Sequence, residues 1–473
     1  MASRCRLLLP SGFALLLTAA GCVSSDPLGA ERKEEDLEAL ASEAPRQWSA
    51  AASVSSSSAT GWLRDFDDAS LQRLVGVALE RNHDLKATAA RVTQARAQAK
   101  AAGADLWPQV GADFGGRRNQ SASGQRFVGS GVRSNRFELG VDISWELDLW
   151  GRLRDQRGAA VAGAEAATED LHAAQLSLAA TTVKSAITLA EAHAQIKLSE
   201  ENIATRRINL GVLEKQLDRG IDTEQVALDV SLARADLARA EATLASQKRV
   251  EDEARRSLEL LLGAYPAGQE PGLMRLPGMR KEVPSGLPSE MLLRRPDLRA
   301  MERRLESALR SESSAKKAFL PSFSLTGTGG LSSDELSLLL QREAVVWSLA
   351  GSVAQQVFQG GRLRAGVEEA RAKYDEILST YSGQALQAFK EVEGALAAEK
   401  HLKEQERALT TAAAEAGRAV ELAISRYSRG LSDALTVLDS RQRAFDARSA
   451  LLAVQAQRLR NRADLHLALG GAF

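Results

Sequence analysis

Residues 137–154 read FELGVDISWELDLWGRLR, and the run as far as Leu149 alternates without exception. Phe137, Leu139, Val141, Ile143, Trp145, Leu147 and Leu149 are apolar, whereas Glu138, Gly140, Asp142, Ser144, Glu146 and Asp148 are small, polar or acidic. A period of two marks a β-strand with one face in apolar surroundings and the other in water. The run is long for a soluble strand and suits a tilted transmembrane one. From Gly151 a helical pattern continues to about Asp218, roughly 100 Å at 1.5 Å per residue. Such a pair of elements predicts a conduit that starts in a bilayer and extends beyond it. The competing reading is a soluble sandwich strand with one wet face.

Composition fits long helices better than stacked globules. Of 473 residues only 4% are aromatic, and alanine is abundant. The 61 basic and 61 acidic side chains cancel, and no basic patch with interleaved aromatics is present, which argues against nucleic acid. Residues 1–21 have the layout of a secretory signal peptide, with Arg4 and Arg6 ahead of a short apolar stretch. Ala19-Ala20-Gly21-Cys22 resembles a bacterial lipobox, which makes Cys22 the candidate acylated residue, with palmitate among its expected acyl groups. The alternative is plain cleavage near Ala20. Residues 22–60, rich in Ser, Ala and Glu, predict an acylated flexible tether.

The chain then repeats itself at a spacing of about 210 residues. Asp84-Leu85-Lys86-Ala87 returns as Asp297-Leu298-Arg299-Ala300, Leu106-Trp107-Pro108 as Phe319-Leu320-Pro321, and Trp150-Gly151-Arg152-Leu153-Arg154 as Gly360-Gly361-Arg362-Leu363-Arg364. Gly220 and Leu228-Asp229 return as Gly430 and Leu438-Asp439. These landmarks divide the chain into a first repeat over 61–265, a linker over 266–287 and a second repeat over 288–473. In the first repeat the pattern predicts a helix at 68–106, strands at 107–119 and 135–149, and long helices at 151–218 and 223–263. Their counterparts are 288–318, 319–330, 344–358, 361–427 and 431–470. Gly220 and Gly430 end helices in the left-handed region, with Asp222 and Ser432 as candidate caps for the next ones.

Leu189, Ile196, Ile203, Leu210 and Leu217 fall seven apart, as do Val367, Tyr374, Tyr381, Ala388, Ala395, Leu402, Leu409 and Ala416. Sustained heptads predict coiled-coil packing. Four membrane strands cannot close on themselves, and an open edge in lipid leaves backbone groups without partners. Self-association is therefore required; three copies would give twelve strands, enough for a passage. Glu138, Asp142 and Glu146 would then line the lumen, with Asp148 there or near its rim.

Several strings resemble the lipoprotein branch of the TolC-like outer-membrane factors: Asn82-His83-Asp84-Leu85, Leu293-Arg294-Arg295-Pro296-Asp297-Leu298, Trp145 through Arg152, and Arg426-Tyr427-Ser428-Arg429-Gly430. The resemblance spans Trp62 to Leu469. It implies a mixed α+β membrane protein in the bacterial outer membrane with a large periplasmic portion. Each chain would give four strands to a trimeric barrel continued by a long α-helical barrel. It also implies a homotrimer whose tips meet a periplasmic adaptor and, through it, an inner-membrane transporter. By the same resemblance Asp439 marks a periplasmic aperture, with Thr436 where some relatives carry a second aspartate. Tyr427 matches a tyrosine that helps hold the closed state, and Arg441 and Arg443 are two candidate partners for Asp439. An ordinary solvated helix residue is the alternative for Asp439.

No catalytic constellation stands out. The five histidines are scattered without metal-ligand spacing, and Gly327-Thr328-Gly329-Gly330 lacks the lysine of a phosphate loop, so neither an enzyme nor a cofactor is expected. The leading expectation is a passive efflux duct. An exit duct of a type I protein secretion system and a non-transporting periplasmic coiled-coil protein are the alternatives.

Overall fold

The computed structural model describes residues 27–42, 48–49, 61–121, 132–220, 223–279 and 294–471. The signal peptide, Cys22, Asp222 and the end of the linker from residue 280 lie outside the described residues. The chain divides into two compact units. One comprises residues 1–40, 92–167 and 301–380, the other 41–91, 168–300 and 381–473.

The first unit holds the sheet. Strands β1 (Gln109–Ser121), β2 (Val132–Leu147), β3 (Ser322–Ser333) and β4 (Val345–Ala354) lie in the order β1-β2-β3-β4, and each neighbouring pair is antiparallel. The predicted strands are all found, with ends shifted by a few residues; β4 stops at Ala354 rather than at 358. Before the sheet comes α1 (Pro27–Ser42), inside the stretch read as a tether. A helix stands over 27–42 where a flexible tether is expected, because its charges pair with distant partners. Arg32 meets Asp375 at 2.7 Å and lies over the Tyr374 ring at 4.4 Å, Lys33 meets Glu306 at 3.2 Å, and the Tyr374 hydroxyl donates to Asp36 at 2.8 Å. Burial alone would raise the Glu306 carboxyl, but Lys33 and Arg310 outweigh it and hold the group below the ordinary carboxylate range.

Helices make up the second unit and part of the first. α2 (Ala69–Arg81) and α3 (His83–Ala104) replace the single helix predicted over 68–106. The break is Asn82, at ψ 130°, whose Oδ1 accepts from Leu85 N at 3.0 Å and whose Nδ2 donates to the Leu261 carbonyl at 3.1 Å. The long helices α4 (Arg152–Asp218), α5 (Thr223–Leu261), α7 (Arg362–Ser428) and α8 (Ala434–Ala468) match their predicted spans closely, and α6 (Pro296–Lys317) falls within the span predicted over 288–318. Phe66, Leu71 and Leu74 pack with Val183, Ile187, Leu189, Leu258 and Ala463 into one apolar cluster. The heptad positions behave as coiled-coil seams: Leu189, Ile203, Tyr381, Ala388, Ala395 and Leu402 are buried here, and Tyr374 in the first unit. Trp48 is also buried, edge-on to Phe389 at 6.1 Å. The linker is fastened where Glu259 accepts the backbone N–H groups of Gly268, Gln269 and Glu270. Burial would raise that carboxyl, yet the three donors hold it below the usual range.

Candidate functional site

The sheet register sorts the strand residues onto two faces. Phe114, Leu139 and Leu331 are paired across neighbouring strands, as are Val110 and Ile143, Trp145 and Leu325, and Phe323 and Val353. This face continues on β4 through Trp347, 78% exposed, and Leu349, 68% exposed. Leaving so many large apolar side chains uncovered in water would be costly, since each buried one is worth roughly 1.5–3 kcal/mol. A bilayer removes that cost. The opposite face is small and polar: Asp113, Asp142, Thr328 and Ser348, with Thr328 and Ser348 hydroxyls 2.7 Å apart. β1 and β4 are the edges, and neither has a further strand to pair with among the described residues.

Glu138, Asp142 and Glu146 share this polar face, as their even numbering predicts. Two are neutralised locally, Glu138 by Arg136 at 2.5 Å and Glu146 by Arg152 at 2.7 Å. The expected acidic lining is thus more mixed than the alternation alone suggests, because Arg117 and Arg136 belong to the same face. Asp148 is not on it. Its carboxylate accepts from the backbone N–H groups of Leu153 and Arg154 at 3.1 and 2.9 Å, so it caps α4.

The junction between sheet and helices is held by donors that sequence reading passed over. Trp145 Nε1 donates to the Leu106 carbonyl at 3.0 Å and Trp150 Nε1 to that of Pro321 at 2.7 Å. Buried Asp155 accepts from Ser313 Oγ and Lys317 Nζ, both at 2.6 Å, joining α4 to the end of α6. The only early signal for Asp155 was an acid in a first helical turn.

At the helical turns, Gly220 and Gly430 adopt φ of +70° and +71°, as their place after a helix predicts. The cap of α8 is Asp433, not Ser432: its Oδ1 accepts from Thr436 N at 2.9 Å and also from the Thr436 hydroxyl. Those bonds hold the Asp433 carboxyl below its ordinary pKa. Thr436 is therefore occupied in capping. Asp439 is exposed and pairs with Arg443 at 2.9 Å. Arg441 is not its partner in this chain; it is half-buried, and burial together with nearby Arg206 lowers its pKa. Tyr427 accepts at its carbonyl from Gly430 N at 2.9 Å. Around the turns Leu431, Leu435 and Leu228 are 60%, 55% and 53% exposed.

The family described as outer membrane efflux protein matches this chain over residues 74–264 and again over 287–471. The chain is 31% identical over 454 residues to outer membrane protein OprJ of Pseudomonas aeruginosa, which covers 94% of each chain. It is 30% identical over 420 residues to the cation efflux system protein CusC of Escherichia coli, covering 87% of this chain and 88% of that one. The solved outer-membrane channel OprN is similar over 91% of this chain and 97% of its own, with a TM-score of 0.84 at 30% identity.

Proposed function

The chain belongs to the outer membrane efflux protein family, and we propose that it works as a homotrimeric exit duct docked to a periplasmic adaptor and an inner-membrane transporter. It is an outer-membrane efflux channel, so the efflux reading is favoured over protein secretion and over a non-transporting coiled coil. The observation that carries the assembly is the sheet, with an uncovered apolar face and two open edges. Two copies would make eight strands, whose interior side chains fill; three make twelve and leave a passage. Asp142 and the serines and threonines of the polar face then line the lumen, with Glu138 and Glu146 muted by their arginines.

Conduction needs no chemistry from the chain, so no catalytic or cofactor role is assigned. Opening has to come from a partner that binds a dilated state better than a closed one. The exposed leucines near Gly430 and Asp433 suit contact with an adaptor. Asp439 forms a single anionic ring whose strength Arg443 reduces, and Arg441 is available to an acid of a neighbouring copy. Cys22 carries the acyl anchor.

The test is conductance of the detergent-purified protein in planar bilayers. Discrete channel openings from a trimer are expected; a monodisperse, detergent-free monomer that conducts nothing would overturn the reading. For the anchor, Cys22→Ser should lose the acyl mass seen in the wild type, and unchanged lipid labelling would refute it.

A further inference from the structure

In the first unit a groove of about 470 Å³ runs between the first turns of α4 and the middle of α6. Four arginines line it, Arg154, Arg157, Arg303 and Arg310, against two carboxylates, Glu165 and Glu306. Three of the arginines are engaged: Arg154 with Asp148 at 3.2 Å, Arg310 with Glu306 at 2.8 Å, and Arg303 with Glu165 at a looser 3.6 Å. Glu306 is shared further with Lys33. Arg157 makes no hydrogen bond or ion pair with any described residue, so the groove carries excess positive charge and an unused planar fork of donors.

Glycines set these side chains flat against the helices. A Cβ at Gly158 would stand 2.7 Å from Arg310 Cδ, and one at Gly103 would stand 3.4 Å from Arg157 Cδ and Nε. The stem of Arg157 thereby packs against α3 at Gly103, while the residue stays exposed to a ligand. Within one helical turn of Gly103 comes Trp107, 71% exposed, and Phe358, 88% exposed, stands at the helix-side end of the same sheet. Exposed aromatics at the end of a membrane sheet mark the headgroup level.

The face is fixed by α1. Lys33 reaches both Glu306 and Glu302, at 3.2 and 3.8 Å, so α1 lies along the rim of the groove. Only ten residues lie between Cys22 and Lys33. An acyl chain on Cys22 inserts in lipid outside the barrel, which puts the face carrying α1 on the lipid side and not in the lumen. This placement rests on the acylation reading above.

We propose that the groove binds the headgroup of an anionic phospholipid in the periplasmic leaflet of the outer membrane, with its phosphate on Arg157. Arginine suits phosphate because its fork can give two parallel charge-assisted hydrogen bonds. The exposed ring of Trp107, four residues beyond Gly103, would meet the acyl chains.

Native mass spectrometry of the full-chain trimer, incubated with phosphatidylglycerol or with phosphatidylcholine, tests this. Phosphatidylglycerol should be retained in preference, and Arg157→Gln should weaken it about ten-fold, the loss expected for a charged hydrogen bond. Arg157→Lys should lose less. Equal retention of both lipids, or no effect of Arg157→Gln, overturns the proposal. So does displacement of the lipid by excess inorganic phosphate, which would make this a free-phosphate site, and so does loss of the trimer in Arg157→Gln, which would make the groove a contact between copies. An acylated wild type without lipid selectivity refutes the groove alone; a selective protein without acyl mass on Cys22 refutes the anchor alone.

Discussion

The sheet and the helical unit invert each other's usual rule. On the sheet Trp347, Leu349 and Val353 stand 78%, 68% and 65% exposed, whereas in the helical unit the guanidinium-bearing Arg462 is among the largest fully buried side chains. Arg462 meets Asp65 at 3.3 Å and Glu399 at 3.6 Å, while His466 Nε2 and Asp65 are 2.9 Å apart. One region is apolar on the outside because its solvent is lipid. The other can bury Arg462 because Asp65 and Glu399 meet its charge.

Breaking the buried network should have the largest effect. Arg462→Ala leaves Asp65 and Glu399 without their shared cation and should cost about 3–5 kcal/mol, read as a fall in the denaturant midpoint of the solubilised protein. Next is the lipid face. Trp347→Arg should cost about 2–4 kcal/mol near the bilayer midplane and remove the heat-resistant oligomer on a gel. Its neighbour Ser348→Arg, pointing to the other face, should keep the oligomer and lower cation conductance. If both substitutions behave alike, the two faces are not in different solvents.

A gentler probe is pH. Burial alone would raise the Asp65 carboxyl, but the hydrogen bond and charge of His466, with Arg462, outweigh it and hold it below 3.8. A depressed carboxyl stabilises the fold above its unfolded pKa of about 4 and loses that contribution as pH falls through the lower folded value. The unfolding midpoint should therefore fall with acid in the wild type and less steeply in Asp65→Asn. The smallest change is expected from Asp439→Asn. Because Arg443 already sits 2.9 Å away, the reversal potential should show only a modest drop in cation preference.

Much of this contrast was legible in the residues. The alternation of 137–149 announced the two-faced strand, the heptads from Leu189 and Tyr374 named buried seams, and the duplicated landmarks gave the order of elements. Local chemistry at the joins was harder. Asn82 carries part of the family likeness but is also an N-cap that cuts one predicted helix into two, a role its residue type allows. Ser432 and Asp433 are adjacent and both able to cap, and the residue types alone do not choose between them; the structure uses Asp433. The strap α1 was hidden for a different reason. Arg32 and Lys33 find partners more than 270 residues away in sequence, and no local pattern records such pairs. The choice of Arg443 over Arg441 beside Asp439 is different, because i,i+4 spacing on a helix brings Arg443 to Asp439 and i,i+2 spacing turns Arg441 away.

The most direct measurement is the protein mass of the detergent-solubilised particle, taken by light scattering with the detergent contribution subtracted. Three mature chains per particle, dissociating only when the detergent shell or the fold is lost, is the expected result. A stable single chain that stays in solution without detergent would contradict the account, because its sheet would then have neither closed edges nor lipid against Trp347 and Leu349.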